Sequence, residues 1–185
     1  MVVAGPSGTG KGTVLRELRS REPRLWFSVS ATDRGRRADE RDGRDYLFMS
    51  PEEFRRIRDE GGFLEWFDVY GDLKGTPRGP VKEHLAQGDD VLLEIDVQGA
   101  LAVRSVFPDA LLIFLRPPSR DEQRRRLLDR DPDVDATDLE RRLAEADTEE
   151  ALASEFDAVV VNDDLDRAVL ELQRLVTERR GDLAP

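Results

Sequence analysis

Val2-Val3-Ala4-Gly5-Pro6-Ser7-Gly8-Thr9-Gly10-Lys11-Gly12-Thr13 opens the chain, and its order decides the fold. Three apolar residues lead into a glycine-rich turn. One lysine follows, then an amphipathic run with Val14, Leu15 and Leu18 on one face. Strand, glycine turn and helix in that order make a phosphate-binding loop. Glycines at 5, 8 and 10 let the backbone bend so that several amide N–H groups converge on one point. The helix beginning near Gly12 adds unpaired N–H groups and the positive end of its dipole. Lys11 adds a mobile cation for β and γ phosphates, so ATP or GTP is the expected occupant. The usual pattern places Ser or Thr directly after the lysine, as a magnesium ligand. Here that residue is Gly12, which leaves Thr13 to a phosphate or to an indirect, water-mediated metal contact.

Composition narrows the chemistry. At 185 residues the chain has the length of one domain. It has no cysteine and a single histidine, His84, which excludes disulfides, thiolate chemistry and multi-histidine metal sites. His84 reads as a solvated residue on a surface helix. The net charge of −11 opposes nonspecific binding to nucleic acid or anionic membranes. Phosphates must then be held by local positive clusters, which here are arginines, with lysine only at 11, 74 and 82. No apolar run is long enough to span a bilayer, and no secretory or transit segment is visible, so a cytoplasmic location is expected. The first strand lies so close to Met1 that further residues are expected ahead of it.

Downstream, the pattern alternates. A helix over 13–21 ends at Pro23, and a strand covers 25–30. Residues 31–45 are polar, arginine-rich and aperiodic. A short strand at 46–49 precedes Ser50-Pro51-Glu52-Glu53, a helix start with Ser as cap and Pro in the first turn. Phe63–Tyr70 is β-rich, Gly71-Asp72 turns the chain, and 81–86 is a helix. Val91-Leu92-Leu93-Glu94-Ile95-Asp96 is a nearly continuous apolar strand of the kind buried on both faces of a parallel sheet. Helix 98–106, strand 110–115, helix 120–130, helix 138–155, strand 157–161 and helix 165–179 follow. The five main strands predict an α/β fold, a doubly wound parallel five-stranded sheet. Residues 31–87 interrupt it as a small mixed α/β unit. Ser30, Asp96 and Asn162 each follow a strand and belong, with the glycine loop, at the strands' carboxyl edge.

A donor triphosphate needs an acceptor, and the inserted unit supplies unusual polar residues. Arg34, Arg36 and Arg37 suit a phosphate dianion, because guanidinium forks bind it bidentately. Glu65, a lone carboxylate between Leu64 and Trp66, suits guanine, which offers N1–H and N2–H donors. Adenine would turn a lone pair towards it, and such sites discriminate by ~10⁴ or more. Asp96 also reads as a cap for the helix that follows.

These stretches, with Ser28-Val29-Ser30-Ala31-Thr32, Arg44-Asp45-Tyr46-Leu47-Phe48, Phe63-Leu64-Glu65-Trp66, Gly75-Thr76-Pro77, Ile95-Asp96-Val97-Gln98-Gly99, Pro117-Pro118-Ser119 and Val161-Asn162-Asp163-Asp164, run in the order of one family. The chain resembles guanylate kinase over essentially its whole length. The resemblance implies a P-loop fold with a helical lid: core 1–30, 88–125 and 143–185, GMP-binding insertion 31–87, and lid 126–142, together one domain over 1–185. It implies that Ser30, Glu65, Thr76 and Asp96 contact guanine, and that Arg34, Arg37 and Tyr46 hold the GMP phosphate. Lys11 and the loop residues Gly5, Pro6, Ser7, Gly8, Thr9, Gly10, Gly12 and Thr13 would bind ATP, with Asn162 near its base or ribose. Arg126, Arg130 and Arg142 would close over the transferring group, beside Lys11 and Arg34.

The expected reaction is γ-phosphoryl transfer from ATP, with Mg²⁺, to GMP and dGMP, in purine nucleotide metabolism. The insertion and the lid are expected to close and exclude water. Three departures from the family stand out. Asp33 and Arg36 replace a usual Thr and Pro, and Lys74 replaces a usual phosphate-binding Tyr. The lid is one residue longer, which leaves Arg141 and Arg142 as alternatives. Rival readings are a non-catalytic phosphopeptide-binding module of the same fold and a P-loop kinase for another phosphorylated small molecule. Self-association is left open.

Overall fold

The computed structural model describes residues 1–182 apart from 39 and 70. Tyr70, counted in the expected strand 63–70, therefore lies outside the described residues. The chain divides into two compact units, Met1–Pro23 with Leu111–Pro185, and Arg24–Ala110.

In the first unit, β1 (Val2–Ala4), β8 (Leu112–Arg116) and β9 (Ala158–Val161) pair in parallel, with Val2 opposite Leu112 and Ile113 opposite Ala158. Val2, Val3 and Leu112 through Leu115 are fully buried, as the continuous apolar runs require of strands covered on both faces. Helix α1 (Lys11–Arg21) buries Val14, Leu15 and Leu18 and packs on α7 (Leu165–Asp182). Helix α5 (Arg120–Arg130) is capped by Ser119, whose Oγ accepts from the Glu122 amide at 3.2 Å. Helix α6 (Ala136–Glu150) is capped by Asp135, and Leu127, Leu139 and Leu143 join the two helices in one apolar cluster.

In the second unit, β2 (Leu25–Phe27) and β7 (Asp90–Glu94) also pair in parallel, so five strands carry parallel pairings of the expected kind. The expected strand 25–30 is split. After Phe27 the chain leaves β2, and Ala31–Thr32 forms β3 in a second sheet ordered β4-β3-β6-β5. Here β4 is Leu47–Phe48, β5 is Phe63–Val69, and β6 is Asp72–Pro77. Strand β3 runs parallel to β4 and antiparallel to β6, and β5 and β6 form a hairpin. Helix α2 (Pro51–Asp59) starts as expected, with Ser50 Oγ accepting from the Glu53 amide at 3.2 Å. It drives Phe54 into the sheet, stacked on Phe63 with ring centroids 4.4 Å apart, beside Ala31. Such a pair contributes about 0.5–1.5 kcal/mol beyond the area it buries. Helices α3 (Arg78–Ala86) and α4 (Val97–Val106) complete the unit.

His84 departs from its expected solvation. Its ring lies 4.0 Å from Trp26 in a stacked pair, and its Nδ1 is 2.7 Å from Asp89 Oδ2. Helix α3 lays this residue against Trp26 of β2, which leaves its side chain 29% exposed.

Candidate active site

The phosphate loop occupies residues 5–13 of the first unit. Gly10 sits at φ +84° as the N-cap of α1, and no side chain caps that helix. Helices α2, α4, α5 and α6 each have a capping side chain. The amides of Thr13 and Val14 close back onto the Gly10 carbonyl at 3.1 Å, and the positive end of the α1 dipole at this glycine suits an anion. The Lys11 ammonium folds back onto the Gly5 carbonyl. A Cβ at Gly5 would run into the backbone of Leu115, so loop and strand approach there as only glycine allows.

Four side chains hold loop carbonyls. Besides Lys11, Gln123 Nε2 donates to the Ser7 carbonyl at 2.7 Å. Asn162 Nδ2 donates to the Thr9 carbonyl at 2.7 Å, and Arg126 Nη1 reaches the same oxygen at 3.0 Å. Arg126 Nη2 also donates to the Asn162 carbonyl at 2.9 Å, while its Nε pairs with Glu122 at 2.8 Å. Arg130 Nη2 lies 3.3 Å from Ser7 Oγ. Arg126, Arg130 and Asn162 are therefore gathered with Lys11 around one loop. Arg142 lies further along, paired with Asp138 at 2.6 Å, and Arg141 pairs with the same carboxylate and with Glu145. These two arginines hold Asp138 below its usual carboxylate range, Arg141 through its hydrogen bond. The Thr9 hydroxyl is buried and has no hydrogen-bonding partner among the described residues. Thr13, by contrast, is exposed on the first turn of α1.

The second unit gathers the other set. Glu65 is only 7% exposed, and Thr76, with 0% exposed, donates its Oγ1 hydrogen to Glu65 Oε1 at 2.5 Å. Consecutive Phe63, Leu64 and Glu65 are all buried, against the alternation of a regular strand. The β5–β6 register shifts between Phe63 and Trp66, and that bulge is what brings Glu65 inward. Asp96 caps α4, accepting from the Gly99 amide at 2.7 Å. A Cβ at Gly99 would stand 3.1 Å from Glu65 Oε2 and 3.3 Å from Asp96 Oδ1, so the two carboxylates converge over this glycine. Burial pushes the Glu65 carboxyl up to about 7, and the neighbouring charge of Asp96 adds to the rise, while the Thr76 hydrogen bond opposes it. A buried carboxylate with a hydroxyl at its side is an acceptor suited to planar N–H donors.

The same unit carries the arginine loop. Arg34 stacks over Tyr46, its Cζ 5.0 Å from the ring centroid, and over Phe48 at 5.5 Å. Its fork grips Glu40: Nη1 donates to Oε2 at 2.8 Å, and Nη2 to Oε1. The Arg37 amide donates to Glu40 Oε2 at 2.9 Å. Arg34 holds the Glu40 carboxyl below its usual range. Burial and the charge of Glu94 raise Tyr46. Asp33 Oδ1, at a position where the sequence departs from family usage, accepts from the Leu73 amide at 2.7 Å and so ties this loop to β6. Lys74, next in β6, pairs through its backbone with Thr32. Ser30 is half-buried, and its carbonyl accepts from Leu47 at 2.9 Å.

Glu40 and Gln123 were not singled out from the sequence. Glu40 is one carboxylate in a run of charges and carries no signal of its own. Gln123 is four residues before the buried Leu127 on α5, and a neutral polar residue on a helix's apolar face was the available sign.

Residues 1–179 match the sequence model of a family described as guanylate kinase. The chain is similar to the guanylate kinase of Gloeobacter violaceus, 50% identical over 182 residues that span 98% of this chain and 88% of that one. It is similar to the guanylate kinase of Synechococcus sp. (strain CC9311), 47% identical over 173 residues, or 94% and 90% of the two chains. A crystal structure of guanylate kinase from Anaplasma phagocytophilum matches with a TM-score of 0.78 at 28% identity, covering 96% of this chain and 84% of that one.

Proposed function

The chain belongs to the guanylate kinase family, and from that premise we propose which residues perform the ATP:GMP phosphoryl transfer that the family implies. The observation that carries the reading is the Glu65–Thr76 pair, a buried carboxylate held by a hydroxyl beside a second carboxylate. Ionised Glu65 accepts N1–H and N2–H of guanine. Thr76, Ser30 and Asp96 complete the polar edge, and AMP is rejected because its N1 lone pair would face Glu65. dGMP satisfies the same edge and is a substrate too.

Arg34 and Arg37 take the GMP phosphate, with Tyr46 beneath the Arg34 guanidinium and Lys74 as a point charge. Both Arg34 Nη groups are engaged by Glu40 before GMP arrives. The phosphate therefore enters through Nε or by displacing that carboxylate. ATP lies along the glycine loop, with Lys11 and the amides of α1 on its β and γ phosphates. The exposed Thr13 hydroxyl, a hard neutral oxygen, fits a hydrated Mg²⁺ that arrives with the nucleotide. When bound, that ion spreads the charge of the triphosphate.

The GMP phosphate is itself the nucleophile, so no general base is needed. Catalysis is positioning and charge neutralisation, with Lys11, Arg34 and Arg130, joined by Arg142, supplying positive charge. Arg126 works through the loop and Asn162, which it binds directly. The presence of Lys11 and of the loop glycines disfavours a phosphopeptide-binding module. Replacing Arg34 by Ala tests the phosphate assignment. The expected result is a rise of roughly 10- to 100-fold in KM for GMP, the loss of one or two charge-assisted bonds, with KM for ATP unchanged. An unaltered KM for GMP contradicts it.

A further inference from the structure

We propose that Gln123 is a positioning residue for ATP: it locks the Ser7–Gly8 peptide of the phosphate loop in its binding orientation. The inference rests on the reading that this loop holds the triphosphate.

Gln123 is 3% exposed, a neutral polar side chain buried in a helix otherwise rich in charge. Both ends of its amide are used. Nε2 donates to the Ser7 carbonyl at 2.7 Å, and Oε1 accepts from Arg120 Nη1 at 3.2 Å. The partners fix the orientation of the amide, since a carbonyl only accepts and a guanidinium only donates. Arg120 in turn donates to Asp147 Oδ2 at 2.8 Å and to the Leu143 carbonyl, both on α6. A continuous set of hydrogen bonds thus runs from the loop through α5 to α6.

A trans peptide is planar, with its C=O and the next N–H pointing opposite ways. With the Ser7 carbonyl aimed at α5, the Gly8 N–H points away from it. Gly8 sits at φ +83°, and a peptide that precedes glycine flips readily, because glycine adopts either sign of φ. The flipped form would turn a carbonyl oxygen to the side where N–H groups are needed for phosphate. Among the described residues only Gln123 holds this carbonyl, whereas two side chains hold that of Thr9. Helix α5 is also too close to allow much slack: a Cβ at Gly8 would meet Gln123 Cγ and Leu127 Cγ at 3.0 Å.

The test is steady-state kinetics on Gln123→Met, which keeps length and burial but has no donor, and on Gln123→Glu, which can still accept from Arg120 but offers Ser7 a carboxylate. One neutral hydrogen bond is worth about 1 kcal/mol, or about fivefold. The expected result for both variants is a rise of about fivefold or more in KM for ATP, with KM for GMP within about twofold of the parent. Thermal unfolding without nucleotide checks that each variant folds. KM values for both substrates rising together, or an unchanged KM for ATP, overturns the inference. Lys11→Met in the same assay separates the two readings. If it leaves KM for ATP and kcat intact, the loop assignment itself has failed. If it lowers activity while both Gln123 variants behave as the parent, only the role of Gln123 has failed.

Discussion

Glu65→Gln tests guanine recognition and predicts opposite effects on stability and on activity. In the folded chain the Glu65 carboxyl titrates at about 7 rather than its usual 4.5, chiefly because it is buried. Its folded value lies above its unfolded one, so the folded state holds more protons between those two pH values. Stability from this group is therefore full below about pH 4.5 and is lost as pH rises through about 7. At 1.36 kcal/mol for each tenfold change, ionisation costs about 3 kcal/mol at pH 8. Glutamine keeps an acceptor for the Thr76 hydroxyl and carries no charge. The ligand-free variant should then be more stable than the parent by up to ~3 kcal/mol at pH 8, a rise of roughly 6–12 °C in Tm for a chain of this size. The difference should shrink to well under ~1 kcal/mol at pH 4. GMP needs the ionised acceptor, so the parent's kcat/KM for GMP should rise with pH through about 7 and then level off. In the variant, one amide oxygen replaces a carboxylate and an NH₂ group faces a guanine donor. A loss of about 3 kcal/mol, roughly 100-fold in kcat/KM for GMP, is expected, with less discrimination against AMP. The assays are thermal unfolding at pH 4 and pH 8 and coupled kinetics with both nucleotides. A variant less stable at pH 8, or one that keeps the full preference for GMP, refutes the reasoning.

Lys11→Met should lower kcat by roughly 10²- to 10³-fold, the usual effect of removing one preorganised charge from a transferring group. Circular dichroism should show the fold intact. Gly10→Ala forces a side chain into φ +84° and places a Cβ 2.6 Å from Asn162 Nδ2. The left-handed strain is about 1–2 kcal/mol, and displacing Asn162 also frees the Thr9 carbonyl. Calorimetry should show a lower Tm, and kinetics a raised KM for ATP with KM for GMP little changed. Asp96→Ala should cost about 1 kcal/mol of stability through the lost cap on α4. It should also raise KM for GMP, whereas Asp96→Asn, which can still cap, should recover the stability and not the affinity.

The sequence was most legible where one segment makes its own structure. The glycine loop, the Ser50 cap and the apolar strands expected at 91–95 and 110–115 are local, and they formed within two residues of where they were expected. Legibility faded where the chain changes sheets. Nothing in Ser28-Val29-Ser30 shows that the strand stops at Phe27 and that Ala31–Thr32 joins a different sheet, because that choice depends on β6, some forty residues later. Strand β6 itself reads as a turn rich in glycine and proline. Glu65 was identifiable as a carboxylate between apolar residues, yet its burial depends on a bulge against β6. Arg126 was expected to act in a lid, and the structure brings its guanidinium onto the Thr9 and Asn162 carbonyls. Contacts between side chains and backbone carbonyls distant in sequence leave little trace in composition or period, and Gln123 and Glu40 were missed for that reason.

The most direct test of the account is an ADP-release assay with ATP and Mg²⁺ across GMP, dGMP, AMP, UMP and CMP. Release that depends on GMP and dGMP, with AMP poorer by ~10⁴ in kcat/KM, is the predicted result. Equal turnover of AMP, or no release with GMP, contradicts it.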